Sequence, residues 1–337
     1  MPSCGSQIIL CDIPIRYDTY SGCSHACRYC FANRKADIRN IKTGESVASL
    51  RAFIDGKRTR LTEWCDWDIP LHWGGMSDPF QPAERTYKRS LDALRVFAET
   101  QYPFVVSTKN KMIAEGEYFE LIKQCNCVVQ FSAACEEYDK YEQGASTFRE
   151  RIAAAEKIAP YKRVNIRCQP YIPGAFAPVM RNIPVFAKIG IHGVIFEGMK
   201  YQHLVKGTIK LGGDFCYPSQ VLQDHFLHFR DALHKRGMKF YCGENRLRGL
   251  SDELCCCGIE GMGWKANTAN LNHAIYDRDG YVFTDAQKKP NSGGAIRVIH
   301  QAPTYNRRTI GMSYEQMMNE HHADPKFRAM LKPDGKI

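Results

Sequence analysis

An alternation along the chain constrains its fold more than any other feature. Short apolar runs rich in β-branched and aromatic residues recur: "DIPLHWGG" (Asp68 to Gly75), "PFVVSTK" (Pro103 to Lys109), "CVVQFSA" (Cys127 to Ala133), "RVNIRCQPYIPG" (Arg163 to Gly174), "IHGVIFEG" (Ile191 to Gly198) and "MKFYCGEN" (Met238 to Asn245). Such runs read as buried strands. Amphipathic segments of helix length separate them. "AERTYKRSLDALRVFAET" spaces Tyr87, Leu91, Leu94 and Phe97 along one face, "FRERIAAAEKIAP" stops at Pro160, and "PSQVLQDHFLHFRDALHKRG" ends on Gly237. Strands alternating with helices imply βα units and a parallel sheet. Six or seven units predict an α/β fold of the partial (β/α)6 TIM-barrel type, with chemistry at the strand carboxyl ends. The rhythm fades near Cys255, which predicts a barrel over residues 1–245 and a loop-rich C-terminal extension over 246–337.

No run of 18 apolar residues occurs, so no membrane span is expected. The opening "MPSCGSQIIL" is too short and polar for a signal peptide. Both readings place the chain in the reducing cytoplasm, where 15 cysteines do not form a disulfide framework. Cys65, Cys125, Cys127 and Cys168 are expected to be small buried hydrophobes. The clustered cysteines need another account.

"YSGCSHACRYCFANRK" holds Cys23, Cys27 and Cys30 at C-x3-C-x2-C spacing. Structural zinc takes four closed ligands, usually as two separated pairs. Here three cysteines share one tight loop with no matching pair downstream, and His25, inside the same loop, would close a tetrahedron only under strain. Three thiolates on one loop suit a [4Fe-4S] cluster with one iron left open to a substrate or cofactor.

This spacing, with Tyr29 just before the last cysteine, resembles the signature of the radical S-adenosylmethionine (SAM) enzymes. The further order "GCSHACRYCFA", "GGMSDPFQPAER", "VVSTKN", "VVQFSAA" and "CQPYIPG", from about Asp18 to Phe196, resembles the spore-photoproduct-lyase-like branch of that superfamily. The resemblance implies that Cys23, Cys27 and Cys30 ligate three irons while SAM chelates the fourth. It implies an electron donor such as flavodoxin or ferredoxin, and reductive cleavage of SAM to a 5′-deoxyadenosyl radical that abstracts hydrogen from a substrate. It assigns SAM contacts to Tyr29, Phe31, Gly74, Gly75, Ser77, Lys109 and Ser132, and a turn-organising role to Asp78 and Gln81. The lyases of this branch carry a hydrogen-donating cysteine at the position of Gly75, so the initiating chemistry carries over and the lyase step does not. Cys135 and Cys242 are the candidate hydrogen donors, and the class of reaction on the substrate stays unassigned.

A second concentration, Cys242 with Cys255, Cys256 and Cys257, is either an auxiliary iron–sulfur cluster, with Cys216 as a further candidate ligand, or a loop of free thiols. Glu244, Asn245, Arg246 and Arg248 follow a strand end, where barrel substrates bind. The net charge is +10, and from Arg28 to Arg60 nine Lys or Arg face only Asp37, Glu45 and Asp55. That segment is either a solvated face or a contact surface for nucleic acid. Three functions compete: radical modification of a base in nucleic acid, radical modification of a peptide or small molecule with an auxiliary cluster, and a non-catalytic iron–sulfur or zinc module that binds nucleic acid.

Overall fold

The computed structural model describes residues 1–4, 11–34, 37–59, 62, 69–211 and 213–267, with a few isolated positions beyond. Seven parallel strands form one sheet: β1 (Ile15–Tyr17), β2 (Leu71–Trp73), β3 (Phe104–Thr108), β4 (Cys127–Ser132), β5 (Arg163–Tyr171), β6 (Gly193–Gly198) and β7 (Lys239–Cys242). Six helices alternate with them: α1 (Val47–Ile54), α2 (Arg89–Thr100), α3 (Gly116–Gln124), α4 (Phe148–Ile158), α5 (Phe176–Lys188) and α6 (Ser219–His234). Each strand pairs with the next one in the chain. Spatial order equal to chain order is the winding of a partial barrel, because a doubly wound sheet reverses order at its switch point.

The six apolar runs are β2 to β7, and β1 is an additional strand ahead of them. Ser3–Cys4 lies antiparallel on the outer edge of β1. Two small sheets ornament the strand ends. Tyr20–Ser21 pairs with Lys42–Thr43 across the cysteine loop. A three-stranded flap of Lys200–Tyr201, Asp214–Cys216 and Ile209–Leu211 stands between β6 and α6.

The two faces of the sheet differ in kind. Ile15, Tyr17, Leu71, Trp73, Phe104, Val106, Val129, Phe131, Ile166 and Phe196 alternate onto one face and pack with Leu94, Phe97, Ile122, Ile158, Phe186 and Phe229 of the helices. Period-two alternation sends Arg16, His72, Ser107, Gln130, Arg167 and Glu197 to the opposite, inner face. Lower on that inner face, Val105 and Val128 pack against Ile13, Cys257 and Ile259, with Cys255, Cys256, Met262 and Trp264 beside them. The described part of the C-terminal extension therefore closes the barrel at the strand amino ends. Gln130 Nε2 donates to the Cys257 carbonyl at 2.9 Å, Arg163 reaches the Gly258 carbonyl at 3.1 Å, and Trp264 Nε1 donates to Asn126 Oδ1 at 3.1 Å.

The long helix expected over 83–100 is broken. A short turn, Glu84–Tyr87, is followed by Lys88 in the left-handed region (φ 50°) before α2 begins. Glu84 explains the break. Its buried carboxylate turns back to accept from Ser90 N and Leu91 N, both at 2.9 Å, capping the free N–H groups of α2. Tyr118 Oη donates to it at 2.9 Å, and Tyr20 Oη donates as well. Glu84→Ala would strip the acceptor from four donors, two of them backbone. We expect a loss of about 3 kcal/mol, read as a shifted urea midpoint at unchanged slope.

Candidate functional site

Cys23, Cys27 and Cys30 lie between β1 and α1, over the carboxyl ends of the first strands. Burial pushes the Cys23 thiol up to about 11 and the Cys27 thiol up to about 12, and negative charge on Cys30 adds to both. Lys109 opposes the rise at Cys27. Among the described residues no three His, Cys, Asp or Glu side chains converge as the ligands of one ion would. Thiolates on a cubane bind separate irons and need no such convergence. His25 is not free to serve as a fourth ligand. Its Nδ1 lies 2.7 Å from the Gly144 carbonyl and its Nε2 lies 3.0 Å from Asp78 Oδ2, with the side chain 2% exposed. The donor set thus fits a cluster held by three thiolates and one loop.

Asp78 organises the surroundings. Besides His25, its carboxylate accepts from Thr108 Oγ1 at 2.8 Å, Lys109 N at 2.6 Å and Phe80 N at 2.8 Å. Burial works against its ionisation, but His25 and these donors prevail and hold the carboxyl below its ordinary range. Gln81, fully buried, extends the clamp: Oε1 accepts from Ser24 N at 2.8 Å and Nε2 donates to the Gly22 carbonyl at 3.1 Å. The turn-organising role expected for Asp78 and Gln81 is wider than the turn itself, since both hold the cysteine loop. From the other side, Gly144 N donates to the His25 carbonyl at 2.8 Å and Arg28 N to the Tyr141 carbonyl at 2.9 Å. A side chain at Gly144 would meet the Ser24 carbonyl oxygen at 2.4 Å.

Lys109, at the end of β3, lies 3.3 Å from Glu142 and 5.7 Å above the Tyr29 ring. Burial lowers its pKa to about 8, against the pull of Cys27. Tyr29 Oη donates to the same Glu142 carboxylate. Arg151, 1% exposed, bridges Glu142 at 2.6 Å, Asp139 at 2.9 Å and the Ser132 carbonyl at 2.6 Å. Glu142 and Arg151 were not legible as site residues. Their roles come from pairing across loops, and no local motif marks them.

The other expected cofactor residues cluster nearby. Gly74 (φ +88°) has no room for a side chain, because a Cβ would stand 2.6 Å from the Ser107 carbonyl oxygen. Gly75 lies against Arg16, and Ser77 Oγ donates to the Tyr20 carbonyl at 2.7 Å. Phe31, 56% exposed, follows Cys30 in a short 3-10 turn. Cys135 and Cys242 both lie fully buried in the core between sheet and helices. Cys255, Cys256 and Cys257 belong to the inner plug, together with Cys11, and Cys256 lies near enough to help raise the Cys242 thiol. Glu244 pairs with Arg246 at 3.0 Å, Arg248 is buried, and Cys216 is buried in the flap. Cys65 lies outside the described residues.

Part of the basic segment is engaged locally. Arg34 pairs with Asp214 of the flap, Arg39 donates to the Cys23 carbonyl at 3.2 Å, Arg51 chelates Glu99, and Arg58 stacks on Phe53 at 4.3 Å. Lys35 and Arg60 lie outside the described residues. Much of this charge supports the loop and α1 locally. No helix among the described residues is long and apolar enough to cross a membrane.

No protein-family model matches the chain. An uncharacterised protein of Mycobacterium tuberculosis is 29% identical over 109 residues, which is 30% of this chain and 32% of that protein; a Mycobacterium bovis protein matches equally. The match thus spans about a third of these relatives' length. Among solved structures, spore photoproduct lyase complexed with dinucleoside spore photoproduct aligns with a TM-score of 0.54 at 16% identity, covering 68% of this chain and 77% of that one. A point mutant of spore photoproduct lyase aligns at 0.53 and 16% identity, covering 68% and 76%. The chain shares the partial-barrel fold of spore photoproduct lyase.

Asp78→Asn would keep the side chain's size and remove the charge that His25 and the β3 terminus are arranged around. We expect about 3 kcal/mol lower stability and reduced iron retention after anaerobic reconstitution. The checks are chemical denaturation and iron quantification on the same preparations.

Proposed function

We propose that the chain is a radical SAM enzyme that uses Cys23, Cys27 and Cys30 to hold a [4Fe-4S] cluster. The observation that carries this reading is the three-thiol loop over the strand carboxyl ends, its only histidine engaged elsewhere, on a fold of the radical SAM kind. When bound, the cluster supplies the electron that reductively cleaves SAM to a 5′-deoxyadenosyl radical.

The chain's own residues supply placement and charge. Asp78 and Gln81 fix the loop against β2 and β3, so the three thiols keep their spacing. Lys109 offsets negative charge at Cys27 and Cys30. Gly74 lets the backbone approach the methionine end of SAM, and Gly75, Ser77, Lys109 and Ser132 line the same strand ends. Tyr29 and Phe31 flank Cys30 on the adenine side of this assignment. The plugged lower end keeps solvent from reaching the inner face from below, as confinement of a radical requires.

The proposed substrate is a base in nucleic acid, a reading supported by the fold shared with a lyase that was solved with a dinucleoside photoproduct. Peptide or small-molecule modification with an auxiliary cluster is the second reading, and the gathering of Cys11 with Cys255, Cys256 and Cys257 favours it. The electron donor is proposed to be a flavodoxin or ferredoxin, and the compartment the cytoplasm.

Anaerobically reconstituted protein given dithionite and SAM should release 5′-deoxyadenosine, and Cys27→Ala should release none. Continued release from that variant would overturn the cluster assignment. About four irons per chain are expected for one cubane, and about eight would establish the auxiliary one.

A further inference from the structure

The inner face of the barrel holds two arginines that the fold does not neutralise. Several buried or half-buried arginines elsewhere meet carboxylates: Arg151 meets Asp139 and Glu142, Arg163 meets Glu260, and Arg246 meets Glu244. Arg16 on β1 and Arg167 on β5, both half-buried, make no ion pair among the described residues. Among the described residues the hydrogen-bond partner of Arg16 Nη1 is the Met76 sulfur, at 3.4 Å. Arg167 is held by neutral amides, Gln130 Oε1 at 2.7 Å and Gln169 Oε1.

A chain of polar groups connects the two. Gln130 Oε1 accepts from Ser107 Oγ at 3.0 Å, and Ser107 Oγ lies 3.3 Å from His72 Nε2. His72 is the register partner of Arg16 on the next strand. Burial lowers the His72 pKa to about 3, and Arg167 and Arg16 both push it the same way, so all three share one space and the imidazole is neutral. The inner-face acid Glu197 is already matched by Lys200 at 2.6 Å. Two guanidinium groups left without counter-charge in a partly dry interior are costly unless a ligand completes them, and their planar forks suit an oxyanion.

We propose that Arg16 and Arg167, joined by the chain of His72, Ser107 and Gln130 between them, bind an oxyanion carried by the substrate, a phosphate or a carboxylate. The charge that selects the substrate then lies inside the barrel and not along the Arg28 to Arg60 segment. The identity of the molecule that carries the oxyanion rests on the radical SAM reading; the anion site itself does not.

The test titrates reconstituted protein with inorganic phosphate and, separately, acetate at constant ionic strength, following the thermal unfolding midpoint with and without SAM. SAM binding is measured by equilibrium dialysis on the same samples. At least one anion should raise the midpoint saturably, and the one that does names the class. Arg16→Gln and Arg167→Gln should each weaken this effect at least about tenfold. Arg167→Lys, which keeps the charge and loses the planar fork, should fall between wild type and Arg167→Gln, and SAM binding should be unchanged in all three. Absence of a saturable effect from either anion overturns the proposal, as does equal response in the Gln variants. A parallel loss of SAM binding also overturns it, by assigning the arginines to the cofactor's own carboxylate. Failure to release 5′-deoxyadenosine would count against the radical SAM reading alone, because anion binding is read without turnover.

Discussion

One buried carboxylate, Asp78, ties together everything proposed for this protein. It lies where three segments that are distant in sequence meet: the cysteine loop through His25, the turn after β2 through Phe80, and the end of β3 through Thr108 and Lys109. A buried ion is tolerated only when its lone pairs are filled, and here three separate segments fill them. The cost of burying the charge is therefore what specifies the geometry, since shifting any one segment would leave the carboxylate underbonded. The cysteine loop is short of regular structure and would otherwise be among the more mobile parts of the fold. Gln81 and Gly144 add two more attachments, so the loop is pinned along most of its length.

A similar division separates the two faces of the sheet. On the helix side, burial of aromatic and branched side chains provides the driving force, and Trp73, Phe97 and Phe104 stack within 5.7 Å of one another. The inner side contributes little of this kind above the level of Val105 and Val128. Its residues are arginine, histidine, serine, glutamine and glutamate, whose hydrogen bonds run from strand to strand. Stability thus comes from outside the barrel and from the plug below it, which leaves the upper inner face free to be polar. A site requires that division, because groups committed to packing cannot also bind a ligand.

Sequence periodicity made the strands β2 to β7 legible because each is a compact apolar run. β1 was not, for it is three residues long, and "IPIRYD" interrupts its apolar pattern with Arg16, an inner-face residue. The helix over 83–100 has an unbroken apolar stripe, yet it breaks at Lys88 because Glu84 stabilises more as a buried acceptor for α2 than as a member of it. The three cysteines were legible because their spacing is local. Glu142, Arg151, Arg16 and Arg167 were not, since nothing local distinguishes a charge that pairs across the fold from one in solvent. The basic segment shows the converse: part of a run of positive charge visible in sequence is engaged by Asp214, Glu99, backbone carbonyls and an aromatic ring.

Charge density along a chain and charge available to a ligand are therefore different quantities here. Around the cysteine loop, Lys109 and Arg151 are answered by Glu142 and Asp139, so that region is neutralised before any cofactor arrives. Further into the barrel, Arg16 and Arg167 are answered by amides and a thioether, which orient a guanidinium without cancelling it. Evenly neutralised surroundings are suited to a group held mainly by covalent coordination. Uncancelled cations are suited to one that must be drawn in and released. The two charge patterns occupy adjacent levels of one barrel, and this is the division of labour expected between a resident cofactor and a passing substrate.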